Sequence, residues 1–408
     1  MSHCRSCNAP LKTPFCDLGA TPLANALLAP DKLKFGEVHY PLFAWVCDDC
    51  RLVQLESFVS RTDIFSDYPY FSSFSASWLE HARKLVADLT ERFGIHTGSM
   101  VYEVASNDGY LLKNFVAQDI PCLGIDPAAN IVKAANAAGI PTVCAFFGND
   151  CAEEVKAKHG AADLIIANNV LAHVPNLVDF VSGMKTLLGP DGVISFEFPH
   201  LRRLIEDVQF DTIYHEHFSY FSLLAAERLM KARGLRAFDV AKVTTHGGSL
   251  RLFVCHGESD REESNALKDL RSEEAEFGMA DGRAYGAFQE RVYRVKRDFI
   301  RFLVDAADAG KRVAGYGAAA KGNTFLNCCG VRPDLMAFVA DKSPHKQGLL
   351  LPGSLIEVSD PQRIFDEKPD YVVILPWNLK DEIAGQLSEI RSWGGRFVVA
   401  VPRLEIIT

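Results

Sequence analysis

The sequence predicts an α/β chain: a small amino-terminal metal-binding module followed by two open α/β units. Three observations carry this. Two Cys-x-x-Cys pairs stand within the first 50 residues, a strand, tight loop and helix begin at Met100, and a strand, glycine loop and helix begin again at Lys311. With 408 residues and 48% hydrophobic content, the chain can bury two to three sizeable cores. The boundaries are expected at residues 1–65, 66–255 and 256–408.

Composition narrows the function classes. A net charge of −9, with no polybasic cluster or RNA-binding signature, argues against nucleic acid as a partner. The start, Met-Ser-His-Cys-Arg-Ser-Cys, lacks the apolar core of a signal peptide, and no apolar run approaches the roughly 18 residues needed to cross a bilayer. A cytoplasmic protein without membrane association is expected. In a reducing compartment its eleven cysteines raise metal binding before disulfides.

Cys4-x-x-Cys7 and Cys47-x-x-Cys50 are two knuckles that can each give two thiolates to one tetrahedral Zn2+. Four thiolates close the coordination shell, so this zinc is expected to be structural. The 39 residues between the pairs exceed the usual ribbon spacing, so residues 8 to 46 should form a small fold of their own. Cys16 is a conceivable substitute ligand without a partner. Cys122, Cys144, Cys151, Cys255, Cys328 and Cys329 are scattered and read as core residues.

An aromatic-rich stretch from Tyr68 to Trp78 leads into a helix expected from about Ser77 to Phe93. Met100 to Val104 then reads as a buried strand, Ala105 to Gly109 as a tight loop, and Tyr110 onward as helix. A second strand ends on Asp126, 23 residues after Glu103, where a carboxylate can accept from both hydroxyls of a ribose. Further strands end near Asn168 and Glu197. Two nucleotide classes fit such a sheet. A dinucleotide fold wants G-x-G-x-x-G, whereas this loop is Glu103-Val-Ala-Ser-Asn-Asp-Gly109, and its acid would repel a pyrophosphate. The same acid suits an ammonium and a sulfonium, so S-adenosylmethionine is the better ligand.

Asp211-Thr-Ile-Tyr214-His215-Glu216-His217-Phe-Ser-Tyr220 sets a phenol, two imidazoles and a carboxylate side by side, with Phe210, Ile213, Phe218 and Phe221 around them. Such a density of titratable groups among apolar residues is expensive unless a site uses it, so a proton-transfer centre is expected. His-Gly-Gly-Ser at 246–249 reads either as a plain hairpin turn or as a turn that brings Ser249 and Arg251 to the reaction. The charged stretch from Glu258 to about Asp281 reads as a solvated helix and loop. Tyr285 to Ala309 reads as one long amphipathic helix. Gly315-Tyr-Gly317-Ala-Ala-Ala320-Lys321-Gly-Asn323 opens the last unit. Taken alone it satisfies a dinucleotide fingerprint with Asp341 as the distant acid, yet Lys321 at the helix start equally suits the diphosphate of another nucleotide.

Together, Glu103-Val-Ala-Ser-Asn-Asp-Gly109-Tyr-Leu-Leu, Asn168-Asn-Val-Leu-Ala-His173-Val, Tyr214-His-Glu-His-Phe-Ser-Tyr220, the cysteine pairs and Gly317-Ala-Ala-Ala-Lys-Gly-Asn-Thr resemble the zinc-containing sugar C-methyltransferase family over nearly the whole chain. The resemblance implies a small zinc-binding domain, a central S-adenosylmethionine-dependent methyltransferase domain of Rossmann-like fold, and a carboxyl-terminal, second Rossmann-like domain that holds the sugar nucleotide. The substrate it implies is a nucleotide-diphosphate 4-keto-deoxysugar, methylated at carbon 3 in branched-sugar biosynthesis. Glu103, Asn107, Asp108, Asp126 and Asn168 are the expected donor-binding residues, and Ser249, Arg251, Gly317, Lys321 and Asn323 the expected substrate contacts. His217 is the expected base, with Glu216 orienting the site and Tyr214 either stabilising the oxyanion or serving as base. Positions matching Tyr68 and His173 lie at the family's active site. An NAD-dependent sugar-nucleotide oxidoreductase and a zinc-bearing, non-catalytic scaffold are the alternatives. The oligomeric state is left open, and a monomer is compatible.

Overall fold

The computed structural model describes residues 2–59, 73 and 76–407. Contacts gather the chain into two compact units, each drawn from three separated stretches. The first comprises Met1–Lys12, Cys47–Leu201 and Phe218–Asp281, the second Thr13–Val46, Arg202–His217 and Gly282–Thr408. No helix among the described residues is long and apolar enough to cross a membrane.

The first unit is built on a seven-stranded sheet. Its spatial order is Leu235–Val243, Ser249–His256, Leu188–Pro199, Ala162–Asn168, Val101–Val104, Cys122–Asp126 and Thr142–Cys144. Five strands run parallel, and the last two in sequence return as an antiparallel hairpin. Parallel strands are covered on both faces, which is why Val101–Val104 and Leu164–Ala167 are continuous buried runs. Ala76–Phe93 packs Leu85, Val86 and Leu89 into a core with Val101, Phe115, Leu164 and Phe253. The helix expected at Tyr110 winds only over Lys113–Val116, because Asn107 (φ 49°) and Gly109 (φ 78°) hold the preceding loop left-handed. A side chain at position 109 would also meet Ile140 Cγ1 at 2.8 Å. Chain order reverses at Val101–Val104, which pairs with a later strand on each side and so opens a crevice at the strands' carboxyl ends.

Two expectations need correction here. The charged stretch does form a helix, Asn265–Phe277, capped by Ser264 Oγ on the Leu267 amide at 3.1 Å, but it is not wholly solvated: Glu274 is 2% exposed. Of the cysteines read as core, Cys144 is exposed and Cys151 half-buried, while Cys122, Cys255, Cys328 and Cys329 are buried. Cys144 ends the last parallel strand, where that strand's burial falls away.

The second unit holds a six-stranded sheet in the order Glu357–Ser359, Phe338–Ala340, Val313–Tyr316, Tyr371–Ile374, Arg396–Val399 and Glu405–Ile407. All pairs are parallel except the last, an antiparallel edge strand. Phe288–Asp308 is amphipathic, burying Phe288, Val292, Val295, Phe299, Phe302, Leu303 and Ala306 at intervals of three and four. The segment between the cysteine pairs contributes a hairpin, Thr13–Thr21 with Tyr40–Val46, in which Cys16 is buried.

Candidate functional site

The first unit carries a thiolate cluster. The sulfurs of Cys4, Cys7, Cys47 and Cys50 all lie within 4.8 Å of one another, with Cys4–Cys50 and Cys7–Cys47 at 3.5 Å. Sulfurs about 2.3 Å from a tetrahedral zinc stand about 3.8 Å apart, so this donor set fits Zn2+ in number, type and spacing. Cys16 is not in the cluster. Gln54 Nε2 donates to Cys4 Sγ at 3.1 Å, and Gln54 Oε1 accepts from the Arg5 amide at 2.9 Å. The Arg5 guanidinium then reaches the carbonyls of Leu55 and, at 3.2 Å, Pro175, and lies over the Phe218 ring. The knuckle therefore braces the turn Leu171–His173 and the residues after it, which carry His173.

The crevice at the reversal point is lined by carboxylates. Glu103 is 1% exposed, its Oε2 receives no hydrogen bond from the described residues, and burial, reinforced by Asp126 and Asp108, pushes its pKa well up. Such a group calls for a cation. Asp126, raised by burial, accepts from the amides of Asn107 at 3.0 Å and Ala128 at 2.9 Å, which fixes the loop at the end of its strand. Ala105 (φ 59°) joins Asn107 in the left-handed region, a strained conformation for an alanine that turns the loop sharply across the strand ends. Asp108 Oδ2 accepts from the Ser73 amide at 3.2 Å. Asn168 closes the adjacent strand with a buried Oδ1 that no described group satisfies. These residues fit S-adenosylmethionine: acids for its charged end, Asp126 for a ribose, and a crevice at the topological switch point.

A buried charge network that sequence reasoning missed adjoins this crevice. Glu197, fully buried, pairs in register with Asn168 and accepts from Arg251 Nη2 at 2.7 Å and Thr245 Oγ1 at 3.0 Å, with His81 Nε2 at 3.5 Å. Burial alone would raise its carboxyl, but His81 and Arg251 hold it at about 2. Ser249 Oγ donates to the Thr245 carbonyl at 3.1 Å. Ser249 and Arg251 thus stand together, both engaged within the protein. The available signal was that Glu197, like Glu103 and Asp126, is an acid near the end of an apolar strand.

The second unit holds Tyr214 to His217 just after a short turn, Phe210–Thr212. His217 Nδ1 lies 2.8 Å from the Thr212 carbonyl. A carbonyl can only accept, so Nδ1 carries a proton, and in the neutral ring Nε2 is the basic nitrogen. The Tyr214 and His217 rings lie 4.0 Å apart. His215 contacts the Pro41 carbonyl at 3.2 Å and packs edge-on against Tyr40, and burial lowers its pKa. Glu216 accepts from Asn25 Nδ2 at 2.8 Å and is raised by burial. Upstream, Asp211 Oδ2 accepts from Trp377 Nε1 at 2.7 Å.

Around the glycine loop, Gly317 (φ 92°) has no room for a side chain against Pro376, and the Ala318 amide donates to Asp341 Oδ2 at 2.7 Å. Lys321 Nζ bonds Asn378 Oδ1 and lies 4.8 Å from the centre of the Trp377 ring. Asn323 is 1% exposed, donates to the Ala24 carbonyl at 3.2 Å and receives Asn327 Nδ2. Tyr68 lies outside the described residues.

A doubly wound sheet with an acid-lined crevice at its switch point, joined to a four-thiolate knuckle, defines an S-adenosylmethionine-dependent methyltransferase with a structural zinc site. Sequence families match along the whole chain: a zinc binding domain at residues 4–65, a methyltransferase domain at 78–240 and a C-methyltransferase C-terminal domain at 244–402. C-methyltransferase NovU of Streptomyces niveus is 36% identical over 408 residues, covering 100% of this chain and 97% of that protein. Among solved structures, magnesium protoporphyrin IX methyltransferase from Synechocystis PCC 6803 with bound SAM is 14% identical, with a TM-score of 0.33 over 44% of this chain and 79% of that one. An S-adenosylmethionine-dependent methyltransferase from Clostridium acetobutylicum is 11% identical, with a TM-score of 0.34 over 44% and 92%. The chain belongs to the zinc-containing C-methyltransferase family that its sequence resembles, and it is a S-adenosylmethionine-dependent C-methyltransferase.

Proposed function

We propose that this enzyme methylates carbon 3 of a nucleotide-linked 4-keto-deoxysugar in branched deoxysugar biosynthesis, with His217 as the base. The observation that carries this reading is the His217–Thr212 hydrogen bond, which places a proton on Nδ1 and so makes Nε2 the basic nitrogen of the neutral ring, with the Tyr214 ring tilted against it at 4.0 Å. Carbon 3 is α to the ketone, so its proton is acidic enough for an imidazole to remove near neutral pH. Tyr214 is the donor for the oxyanion that develops on the 4-keto oxygen, the charge that most needs stabilising. Glu216, whose carboxyl is raised by burial against the pull of the Asn25 amide, orients the site through Asn25. Glu103, Asn107, Asp108, Asp126 and Asn168 hold S-adenosylmethionine, which when bound supplies an electrophilic methyl group to the carbanion. Ser249 and Arg251 serve acceptor binding beside Glu197, and Gly317 and Lys321 receive the diphosphate, with Asn323 setting the helix behind them. His173 and Tyr68 complete the active site, and the domains divide at 1–65, 66–255 and 256–408.

His217→Asn tests the reading. Turnover on a nucleotide-linked 4-keto-6-deoxysugar should fall by about 10²- to 10⁴-fold, while calorimetry shows unchanged S-adenosylmethionine affinity. Unchanged turnover removes His217 as base, and binding of NAD without binding of S-adenosylmethionine overturns the donor assignment.

A further inference from the structure

Asp211 has no part in the chemistry above, yet it is among the most buried charged side chains of the second unit, at 1% exposure. It sits in the turn Phe210–Thr212, three residues before Tyr214. Its Oδ2 takes the indole proton of Trp377 at 2.7 Å, and its charge and that of Lys321 attract one another. Lys321 in turn lies over the same indole ring and bonds Asn378. Phe210, the residue before it, packs against Phe325 of the helix Ala320–Cys329, with ring centres 5.9 Å apart. A cavity of about 10 Å³ lined by Asp211, Phe325 and Trp377 leaves room for little more than one water. Apolar packing and a buried carboxylate therefore join the segment bearing the proton-transfer groups to the start of the helix bearing Lys321.

We infer that Asp211 is a positioning residue: by holding Trp377 and balancing Lys321, it couples occupancy of the diphosphate site to the placement of Tyr214 and His217. This rests on the reading of Lys321 as a diphosphate contact. The coupling has a definite chemistry. In the free enzyme the Lys321 ammonium is balanced by Asp211. A diphosphate that reaches Lys321 competes with Asp211 for the same cation, so the carboxylate keeps the Trp377 indole as its side-chain tie, beside the backbone amides of its own turn. That tie keeps the turn, and the residues three to six positions on, in place while substrate binds. A buried carboxylate without any partner would be costly, so the Trp377 hydrogen bond is what holds it in this position once Lys321 turns to the diphosphate.

The experiment uses the zinc-loaded full chain with two variants. In Asp211→Asn the amide oxygen can still accept from Trp377, but the charge opposing diphosphate at Lys321 is gone. In Trp377→Phe the charge and the ring over Lys321 remain, but the hydrogen bond is lost. Calorimetry with a nucleoside diphosphate should show roughly three- to tenfold tighter binding to Asp211→Asn and binding within about twofold of wild type for Trp377→Phe. In both, kcat on the keto sugar should fall about tenfold or more with S-adenosylmethionine affinity unchanged, because small displacements of a catalytic group are costly. Parallel loss of kcat, diphosphate affinity and melting temperature would show a merely structural residue and overturn the inference, as would unchanged kcat in both variants. If Asp211→Asn does not fold, Trp377→Phe decides by the same split between kcat and affinity. If wild type itself binds no nucleoside diphosphate, the substrate reading falls, and the inference falls with it.

Discussion

Replacing Asp211 by asparagine should make the folded protein more stable at neutral pH, although it lowers turnover. Burial raises this carboxyl from 3.8 to about 6, against the pull of Lys321 and Trp377. A group whose pKa is higher in the folded state binds its proton more readily there, so acid favours folding. The contribution is present below the unfolded value and is lost as pH rises towards the folded one. A gap of about two pKa steps at 1.36 kcal/mol each gives about 3 kcal/mol lost between about pH 4 and pH 6. Asparagine matches the shape, keeps an acceptor for the indole and carries no charge, so it escapes the loss. The variant-minus-wild-type stability should therefore grow from near zero at about pH 4 to about 3 kcal/mol at pH 7. Denaturant unfolding of the zinc-loaded chain, followed by tryptophan fluorescence across a buffer series, reads this difference, and titration of the other groups cancels. A difference that does not change with pH, or a variant less stable at pH 7, would refute the claim that burial outweighs ion pairing at Asp211.

Other consequences are as direct. The purified chain should carry one zinc per molecule by elemental analysis, and Cys47→Ser should lose it together with several kcal/mol of stability, since metal binding to such a site is folding energy. Glu103→Gln should weaken S-adenosylmethionine binding by roughly ten- to a hundredfold, the worth of about 1.5–3 kcal/mol for a charged hydrogen bond; unchanged calorimetric affinity would remove Glu103 from the donor site. Glu274 accepts from His200 Nε2 at 2.7 Å and from the amides of Leu223 and Leu224 at 2.7 and 2.9 Å. Glu274→Ala should therefore destabilise by about 3 kcal/mol in thermal unfolding, by uncapping the helix Leu223–Lys231 and stranding a buried imidazole.

The elements legible in the sequence are those whose signal is local. The strands carrying Glu103 near their end, or ending on Asp126 and Asn168, announce themselves as buried apolar runs with a polar residue at the close, and the thiolate pairs by spacing alone. Long-range pairing was not legible. Glu274 sits in a helix whose composition reads as solvated, and only distant partners, His200 74 residues away and the amides of Leu223 and Leu224, explain its burial. Glu197 gains its meaning from His81 on one helix and from Thr245 and Arg251 in a later hairpin, two distant parts of the chain. Asp211 was visible as part of a titratable stretch, but its tie to Trp377 spans 166 residues. The sequence also gave no sign that residues 13–46 and 202–217 pack with the carboxyl-terminal sheet, since chain order alone does not reveal which core a segment joins.

Carbon methylation through deprotonation beside a ketone can be followed atom by atom with nuclear magnetic resonance. The zinc-loaded enzyme is incubated in D2O with a nucleotide-linked 4-keto-6-deoxysugar and S-adenosylmethionine carrying a ¹³C-labelled methyl group. A labelled methyl on carbon 3 with the carbon 3 proton lost is expected, and neither change with His217→Asn. A labelled methyl on oxygen, or transfer at full rate by the His217→Asn variant, would contradict it.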